Sequence, residues 1–444
     1  MNRALIVAAL VAVASDAHAA DARAADGLDA ILARPGGLTE ADVAKRAAAA
    51  SPTVQERDAE RVAADETAAA TKILRWPRLT AQARYTRLQE QDASTIPDLP
   101  IEVSIPGPTP NRYSGDLTLG VPLSDHLLRI PQAIAATQAG AEAARWQVAA
   151  AEVDAVATAR LAYWDWVELS LTEVALTQGL ATAKEHLGLV EVAARAGAAA
   201  DADVLGVKAQ VAAVELRLQR VRSGIALTAE RIATLTDAAP PTAIGEALAD
   251  EPSPQDLLEA GTAGRPEYRA LAAGDDALRA QASLARAGQW PRLDAQAHAA
   301  IVNPNPRAFP QDDTWDQIWD VSVVATFVLN DLPTARHDAR ATEARRHALA
   351  AKRSALDRGL RLQALAARRA LADAGVALAT SRDALAAADE ALRVRTLAFR
   401  NGGATSSELT DAETTLLSAR LDHVNARVAA RRARVLADQA VGRR

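Results

Sequence analysis

The sequence predicts an α+β membrane protein built from a duplicated unit, with four amphipathic strands and two long helical hairpins. The first observation is an internal repeat: RWPRLTAQA at residues 75–83 returns as QWPRLDAQA at residues 289–297, with seven identical positions. The second is the placement of proline, which is absent from residues 132–239 and 334–444. Because proline breaks the interior of a helix, both stretches can be helical throughout. One structural unit is therefore expected twice along the chain.

The N-terminus, residues 1–19, is predicted to be a secretory signal peptide. Arg3 supplies a positive charge, residues 4–14 are apolar, and Ala17 and Ala19 are the small residues expected before a cleavage site. The apolar run is too short to cross a bilayer as a helix. The chain contains no cysteine, so neither an acyl anchor on cysteine nor a disulfide is predicted. We therefore expect an exported protein without a helical anchor.

Composition and motifs argue against two classes of function. The formal net charge is -6, whereas a nucleic-acid-binding protein is expected to carry a basic surplus. The histidines that follow the signal peptide are not paired at the i, i+3 or i, i+4 spacing of a helical metal site. Neither a glycine-rich phosphate loop nor a nucleophile elbow occurs. The sequence therefore predicts neither an enzyme nor a protein that holds a metal or another cofactor.

Alternation of apolar and polar residues predicts two strands in each repeat. They are expected at about 78–88 and 114–123 in the first repeat, and at about 291–301 and 316–329 in the second. Each has roughly the ten residues needed by a strand that crosses a membrane. Four strands are too few to close a membrane barrel, and open sheet edges are not tolerated in lipid. The chain is therefore expected to form a homotrimer, which would supply about twelve strands.

Tryptophan is concentrated around the predicted strands. Trp76 and Trp290 stand at equivalent strand starts, and Trp315 and Trp319 lie around the start of the fourth strand. Aromatic belts mark the two bilayer interfaces of outer-membrane barrels, so these four residues are predicted to form such a belt. The alternative is that aromatic residues are present only because they favour strands.

Each proline-free stretch is predicted to form a helical hairpin with one long arm and one shorter arm. The first long arm, from Gln132 to Ala194, would extend about 95 Å at 1.5 Å per residue. Leucine recurs every seven residues at positions 371, 378, 385 and 392, which is the spacing of a coiled coil. The predicted divisions of the chain are a first repeat (20–240), a proline-rich connector (241–264) and a second repeat (265–444).

Small residues interrupt each hairpin where its tip is expected. Gly197 lies in the first tip, near residues 195–203, and Asn401 and Gly402 lie in the second, near residues 400–408. Glycine and asparagine suit the left-handed conformation that ends many helices. The candidate N-caps of the shorter arms are Asp201 in the first hairpin and Ser406 or Ser407 in the second.

The order of these features resembles the TolC-type family of outer-membrane efflux channels, the outer membrane factors. The similarity covers nearly the whole chain after the signal peptide. It implies a trimer in the outer membrane of a Gram-negative bacterium, with a 12-stranded β-barrel and a long periplasmic α-barrel. It also implies two protein partners, a periplasmic adaptor (membrane fusion) protein and an inner-membrane pump. The matching residues are Leu38-Thr39-Glu40-Ala41 with Ser51-Pro52, Gly197 followed by Asp203-Val204-Leu205, and Gly402 followed by Glu408-Leu409.

The resemblance also implies roles for residues at the tips. It places Glu408, Asp411 and Asp203 around the periplasmic aperture, where a trimer would turn each of them into a ring of carboxylates that favours cations. The alternative is that these acids only cap helices and complement the helix dipole. Gly197 and Gly402, together with Asn401, are candidates for contact with the adaptor because they lie at the tips, and they are expected to end helices as well.

Two functions remain open from the sequence. The first is a passive exit duct of a tripartite efflux or type I secretion system, located in the cell outer membrane and opened at its periplasmic tip by the adaptor. The chain carries no nucleotide-binding motif, so a partner would supply the energy. The alternative is a periplasmic coiled-coil scaffold or adaptor protein that never enters lipid.

Overall fold

The computed structural model describes residues 28–91, 94–95, 104–105, 107, 109–248, 264–309 and 311–443. The predicted signal peptide and most of the predicted connector lie outside these residues. In chain order the elements are α1 (Glu40–Ala50), α2 (Pro52–Ile73), β1 (Arg78–Arg87), β2 (Ser94–Thr95), β3 (Ser104–Ile105), β4 (Asn111–Pro122), α3 (Leu123–Leu128), α4 (Ile130–Arg195), α5 (Asp201–Thr236), α6 (Pro266–Ala287), β5 (Arg292–Asn303), β6 (Asp316–Thr326), α7 (Asp331–Arg400) and α8 (Ser406–Val441).

The duplication is visible in the lengths of the helices. The helices before the first strand of each repeat, α2 and α6, both have 22 residues. The shorter arms of the two hairpins, α5 and α8, both have 36 residues, and the long arms α4 and α7 have 66 and 70. The predicted fold class, with four antiparallel strands and two long helical hairpins, is confirmed. No helix in the described part of the chain is long and apolar enough to span a membrane.

The chain divides into two compact units. The sheet unit comprises residues 60–145 and 269–353. The helical unit comprises the described residues of 1–59, 146–268 and 354–444. Each long helix contributes one part to each unit. The two units are described separately below.

The sheet unit is built on one antiparallel sheet with the strand order β1-β4-β5-β6. Strand β1 pairs with β4 from Arg78↔Gly120 to Arg87↔Asn111, and β5 pairs with β6 from Arg292↔Thr326 to Val302↔Asp316. The bounds of β4 and β6 differ by up to three residues from the sequence expectation, and those of β1 and β5 by one or two. Strand β4 begins at Asn111 because β1 extends far enough to pair with it. Strand β6 ends at Thr326, not at residue 329, because β5 begins at its partner Arg292.

Proline placement also shifts the starts of the long helices. Helix α4 begins at Ile130, whereas the sequence predicted a start at Gln132, because Pro131 lies in its first turn. Helix α7 likewise begins at Asp331 with Pro333 in its first turn. Proline is tolerated there, since the first amide groups of a helix have no intrahelical acceptor. Absence of proline therefore marked the interiors of these helices correctly but not their starts.

The core of the helical unit is centred on α4. Tyr163, Trp164 and Leu171 are fully buried and pack with apolar residues of α5 and α8. Burial of one such large apolar side chain stabilises a fold by about 1.5–3 kcal/mol. The Tyr163 hydroxyl donates a hydrogen bond to the Leu38 carbonyl oxygen at 2.9 Å, and burial raises the pKa of this phenol. This core therefore fixes the helices from which the two tips extend.

The predicted leucine repeat lies on the seam between α7 and α8. Leu371 packs against Ala433 and Ala437 of α8, and Leu385 packs with Leu416 and Ala419. Small residues opposite leucine allow two helices to approach closely, as the low aromatic content suggests. The second hairpin is therefore a coiled coil along much of its length.

Candidate functional site

The two hairpin tips have the same backbone geometry. Gly197 and Gly402 have positive φ angles of 75° and 74°. At the first tip, the amide of Ala198 donates to the carbonyl oxygen of Ala193, five residues earlier, at 2.8 Å. At the second tip, the amide of Gly403 donates to Ala398 at 2.8 Å. Both glycines therefore occupy the left-handed position of a Schellman motif, which ends the long helix and turns the chain.

Asn401 differs from its two neighbouring candidates at the tips. It is exposed and its backbone is not left-handed, so it does not adopt the conformation that was expected of it as a C-cap. Its amide donates to the carbonyl oxygens of Leu397 and Ala398 and thus continues the helical pattern. The left-handed turn falls on Gly402 because glycine has no Cβ to clash in that conformation.

The N-cap of α8 is Thr405, so the prediction of Ser406 or Ser407 was wrong by one or two residues. The Thr405 hydroxyl accepts from the Glu408 amide at 3.3 Å, and the Glu408 carboxylate accepts from the Thr405 amide at 2.9 Å. These reciprocal bonds form a capping box. Thr405 is the N-cap because Glu408 lies three residues after it, where its carboxylate can accept a hydrogen bond from the Thr405 amide.

Glu408 keeps an exposed carboxylate at the start of α8. The Thr405 amide, and to a smaller extent the Arg395 guanidinium at 3.2 Å, hold the pKa of Glu408 below its ordinary value. Asp411 lies one turn later on the same helix and is also exposed. No hydrogen bond or ion pair of the Asp411 side chain occurs among the residues that the structure describes. The second tip therefore presents two carboxylates to solvent, of which only one is a helix cap.

The acids of the first tip form a weaker arrangement. The N-cap of α5 is Ala200, not Asp201 as predicted, and alanine offers no side-chain acceptor. The Asp203 carboxylate still accepts from the Ala200 amide at 3.1 Å, which is the returning half of a capping box. Asp203 is half-buried, whereas Glu408 and Asp411 are exposed. The geometry thus distinguishes Asp203 from the acids of the second tip.

A buried polar cluster below the tips was missed from the sequence. His186 of α4 is 2% exposed, and its ring nitrogens lie 3.2 Å from Glu413 Oε2 and 3.3 Å from Ser406 Oγ of α8. Glu413 and Ser406 are themselves buried. The residues are more than 200 positions apart along the chain, so no local spacing reveals them. Only the packing of one hairpin on the other brings them together.

One face of the sheet is apolar and exposed. Along β6, Trp319, Val321 and Val323 are 73%, 68% and 63% exposed, while the residues between them are more covered. Leu117 of β4 shows the same alternation, whereas Leu79 of β1 is exposed on a strand whose residues are nearly all exposed. The alternation is that of strands with one apolar and one polar face. In a water-soluble protein such a large exposed apolar face requires a covering partner or lipid.

Aromatic residues stand at both ends of this sheet. Trp76 and Trp290 lie in equivalent turns before β1 and β5, where their amides donate to the carbonyl oxygens three residues back. At the opposite end, Tyr85 lies 5.1 Å from Tyr113, and Tyr113 lies 5.9 Å from Trp315, between ring centroids. Trp76, Trp290 and Trp315 are 60% exposed or more. The predicted belt residues are thus divided between the two ends, with Trp319 on β6 near Trp315.

The polar face of the sheet carries a row of charges that the sequence did not reveal. His298 of β5 lies between two carboxylates, 3.0 Å from Asp116 of β4 and 3.3 Å from Asp320 of β6. Asp320 also accepts from Arg307 at 2.6 Å, and Asp116 accepts from the Ser114 hydroxyl at 2.8 Å. This row spans three strands, so its residues meet only because of the register between strands.

A groove of about 440 Å³ lies between α6 and α7, and its lining is charged. Asp275 accepts from Arg279 at 2.9 Å and from Arg346 at 3.0 Å, and Arg346 also donates to Glu343 at 3.0 Å. Among the residues described, no group of three or more His, Asp or Glu side chains is placed to hold a metal ion.

Comparisons with known proteins agree with this architecture. Residues 43–237 match the family model described as "Outer membrane efflux protein". The outer-membrane channel OprN is similar with a TM-score of 0.72 and 22% identity, over 91% of this chain and 89% of that one. The open-state MtrE outer-membrane channel of Neisseria gonorrhoeae has a TM-score of 0.72 and 17% identity, over 90% of this chain and 88% of its own.

A third structure, the outer membrane protein VceC of Vibrio cholerae, is similar with a TM-score of 0.70 and 18% identity. The match covers 91% of this chain and 96% of VceC. No curated protein sequence matches significantly. Because all three identities are low, the structural similarities establish a shared fold, and the family match extends over most of the first repeat.

Proposed function

We propose that this chain is a member of the TolC-type family of outer-membrane efflux channels and forms the passive exit duct of a tripartite efflux or type I secretion system. The observation that carries the proposal is the four-stranded sheet, whose exposed apolar face has aromatic residues at both ends. Such a face suits lipid, with the aromatic rings at the two interfaces. The protein acts in the outer membrane, and the helical hairpins extend into the periplasm.

The open edges of the sheet support a trimer. Among the residues that the structure describes, strands β1 and β6 each pair with one strand of the sheet and leave their other edge unpaired. Lipid does not tolerate such edges, so β6 of one copy would pair with β1 of the next until a barrel closes. Strand β1 has ten residues and is about 34 Å long at 3.4 Å per residue, or roughly 25 Å high at the usual tilt. Three copies would give twelve strands of the height that a membrane requires.

The second tip supports a cation-preferring aperture. Glu408 and Asp411 are exposed on one face of α8, and Asp203 follows the first tip. In a trimer these acids would form carboxylate rings, which attract cations. The helix-capping role of Glu408 does not compete with this one, since capping keeps the carboxylate ionised. Opening would require the hairpin tips to move apart when a periplasmic adaptor binds, and an inner-membrane pump would supply the energy.

Membrane insertion is tested by fractionation. The expected result is recovery of a trimer from the outer-membrane fraction only after detergent extraction. Recovery in the soluble periplasm without detergent would overturn the channel and favour the periplasmic scaffold. The substitution Val321→Lys, which places a charge on the apolar face, is the matched variant and is expected to reduce the amount of inserted trimer.

The aperture is tested by single-channel recording. The double variant Glu408→Gln/Asp411→Asn is expected to lose much of the cation preference, because the proposed rings become neutral. Glu390→Gln is the control, since Glu390 is an exposed acid of α7 that pairs with Arg393 at 2.8 Å. An unchanged reversal potential in the double variant would rule out these acids as the selectivity ring.

Adaptor contact is tested at the exposed tips. Bulky replacements of Gly197, Asn401 or Gly402 should abolish crosslinking to the adaptor while leaving the trimer intact. Asn401→Trp is the most informative variant, because Asn401 is exposed and does not need the left-handed conformation. Full crosslinking by an Asn401→Trp trimer would exclude contact at this position.

A further inference from the structure

His186 makes hydrogen bonds that reach α8 at two points, about two turns apart. One ring nitrogen, Nε2, lies 3.3 Å from Oγ of Ser406 in the first turn. The other, Nδ1, lies 3.2 Å from Oε2 of Glu413, about two turns later. A neutral imidazole satisfies both contacts if Nδ1 donates to the carboxylate and Nε2 accepts from the hydroxyl. One side chain of α4 thereby joins the beginning of α8 at two points.

The other two helices of the hairpins close around this cluster. From α7, the Phe399 ring packs edge to face on His186, with centroids 5.5 Å apart. From α5, the Gln210 amide nitrogen lies 3.5 Å from the Glu413 carboxylate and from the Thr414 hydroxyl. These longer contacts are weak by the usual geometric criteria. The shorter polar contacts of the cluster are therefore those made by His186.

We infer that His186 is a positioning residue that clamps the first two turns of α8, the segment that carries Glu408 and Asp411. Ser406 precedes Glu408 by two residues, and Glu413 follows Asp411 by two. The clamp thus brackets both acids while they face solvent on the other side of the helix. Their placement around an aperture rests on the proposed function, whereas the clamp itself rests on contacts within one chain.

Burial makes the loss of a clamp residue costly. His186, Ser406 and Glu413 are 2%, 7% and 7% exposed, so water does not replace a missing partner. A hydrogen bond to an ionised group is stronger than one between neutral groups. When one member is removed, the buried carboxylate also loses its compensation for desolvation. Displacement of α8 from α4 is the simplest way for Glu413 to regain contact with water.

The absence of cysteine permits a direct measurement. Spin labels on the variants Ala198→Cys and Ser407→Cys report the distance between the first tip and the first turn of α8. The trimer is diluted with unlabelled chain, so that only distances within one chain are measured. The wild-type protein is expected to give one narrow distribution. His186→Ala should add a displaced population, with at least a roughly tenfold change in the ratio of displaced to docked states.

Two control variants separate the polar clamp from ordinary packing. Val190→Ala removes buried apolar volume from α4 near the same tip, since Val190 is fully buried. His423→Ala removes another histidine contact between helices, the one with Ser381 at 3.2 Å. Both controls should retain the narrow distribution. An unchanged distribution in His186→Ala, or equal broadening in Val190→Ala, would overturn the clamp.

A milder pair of variants covers the case in which His186→Ala does not fold. His186→Gln can reach only one of the two partners, and Ser406→Ala removes only the first-turn contact. Both should broaden the distribution less than loss of the whole clamp, and a narrow distribution in both would overturn it. The reversal potential of His186→Gln is recorded separately. If neutralising Glu408 and Asp411 leaves the ion selectivity unchanged, the proposed aperture is wrong. The measured distances between the spin labels still test the clamp independently.

Discussion

Gly197 and Gly402, 205 positions apart in the sequence, adopt the same left-handed conformation with φ angles of 75° and 74°. Each ends the long arm of its hairpin through the same pair of backbone hydrogen bonds. Beyond the adjacent residues in the chain, no atom of the described residues lies within 4 Å of the Cβ that an alanine would add at either position. The requirement for glycine is therefore conformational and not a matter of space.

Alanine at either tip glycine should destabilise the protein, because the left-handed conformation costs a non-glycine residue about 1–2 kcal/mol. Gly188→Ala is the matched control, since Gly188 is an exposed helical residue of α4 with no atom near its missing Cβ. That change should stabilise the helix by about 0.5–1 kcal/mol. Thermal unfolding of the purified trimers measures both effects. Opposite signs are expected, and stabilisation by Gly402→Ala would contradict the conformational argument.

The Thr405 cap gives a second prediction. Thr405→Ala removes the acceptor for the Glu408 amide and should destabilise the first turn of α8 by about 1 kcal/mol. Hydrogen exchange of the amides in this turn should accelerate, because an uncapped helix end opens more often. The adjacent change Ser407→Ala is the control, since Ser407 is exposed and is not the cap. Equal exchange rates in both variants would show that Thr405 is not the stabilising cap.

The sequence predicted the repeated architecture well because that information is local. Each signal determines the structure of only the few residues around it. These signals are the placement of proline, the alternation of apolar residues, and the two tip glycines, Gly197 and Gly402. The N-caps were wrong, although Thr405 and Glu408 have the spacing of a capping box, and attention to that spacing would have found the cap. Neither Ser406 nor Ser407 has an acid or amide three residues later, so neither can form this box.

The buried contacts could not be predicted in the same way. His186 meets Glu413 across 227 positions, and His298 meets Asp116 across 182. The first pair depends on how two hairpins pack, and the second depends on the register between β4 and β5. A shift of one residue in that register would move His298 to the apolar face. These residues therefore acquire their partners from tertiary structure alone.

The capped acid of α8 should retain its charge in mild acid. The Thr405 amide and Arg395 stabilise the ionised form, so the pKa of Glu408 lies below its ordinary 4.5. Its stabilising effect is therefore complete above the unfolded pKa and is lost as pH falls through the lower folded value. Cation preference from Glu408 should persist at about pH 4.5, where an ordinary glutamate is half protonated. Channels with the Asp411→Asn change isolate the contribution of Glu408 to cation preference, because Glu408 is then the only charged acid of the pair.

In Asp411→Asn channels, the reversal potential is recorded from neutral pH downward. A second series carries Thr405→Ala as well, which removes the hydroxyl but leaves the amide. The preference should fade at slightly higher pH in this second series. Loss of cation preference well above pH 4.5 in Asp411→Asn alone would contradict the lowered pKa of Glu408.

His126 should make stability depend on pH in the opposite direction. It lies just beyond β4, and its ring nitrogens lie 2.9 Å from the carbonyl oxygens of Pro122 and Arg75. Both acceptors favour the doubly protonated ring, so the Pro122 carbonyl, and then that of Arg75, raise the pKa of His126. The resulting stabilisation is fully present below the unfolded pKa of about 6.5 and is lost as pH rises through the folded value.

His126→Gln should therefore reduce this loss of stability between about pH 6 and pH 8, the range in which histidine titrates. The measurement is the unfolding temperature of the trimer as a function of pH. His337→Gln is the control, since His337 is an exposed histidine of α7. If His126→Gln and the wild-type protein keep parallel profiles, the two carbonyl contacts do not stabilise the charged ring.

Val321 and Ser322 provide adjacent positions on opposite faces of β6. Val321 is 68% exposed on the apolar face, whereas Ser322 is opposite Gln296 on the polar face. If the apolar face contacts lipid, Val321→Lys should destabilise the inserted protein by about 2–4 kcal/mol near the middle of the bilayer. Ser322→Lys adds the same charge and length but should be nearly neutral, because it would face the aqueous lumen.

The free energy of unfolding from lipid vesicles distinguishes the two variants. A large cost for Val321→Lys alone is the expected result, since the two changes differ only in the face to which the side chain belongs. Equal costs would show that β propensity or crowding determines the effect. A larger cost for Ser322→Lys would mean that the polar face contacts lipid. The sheet of the barrel would then have to curve the other way, with its apolar face toward the lumen.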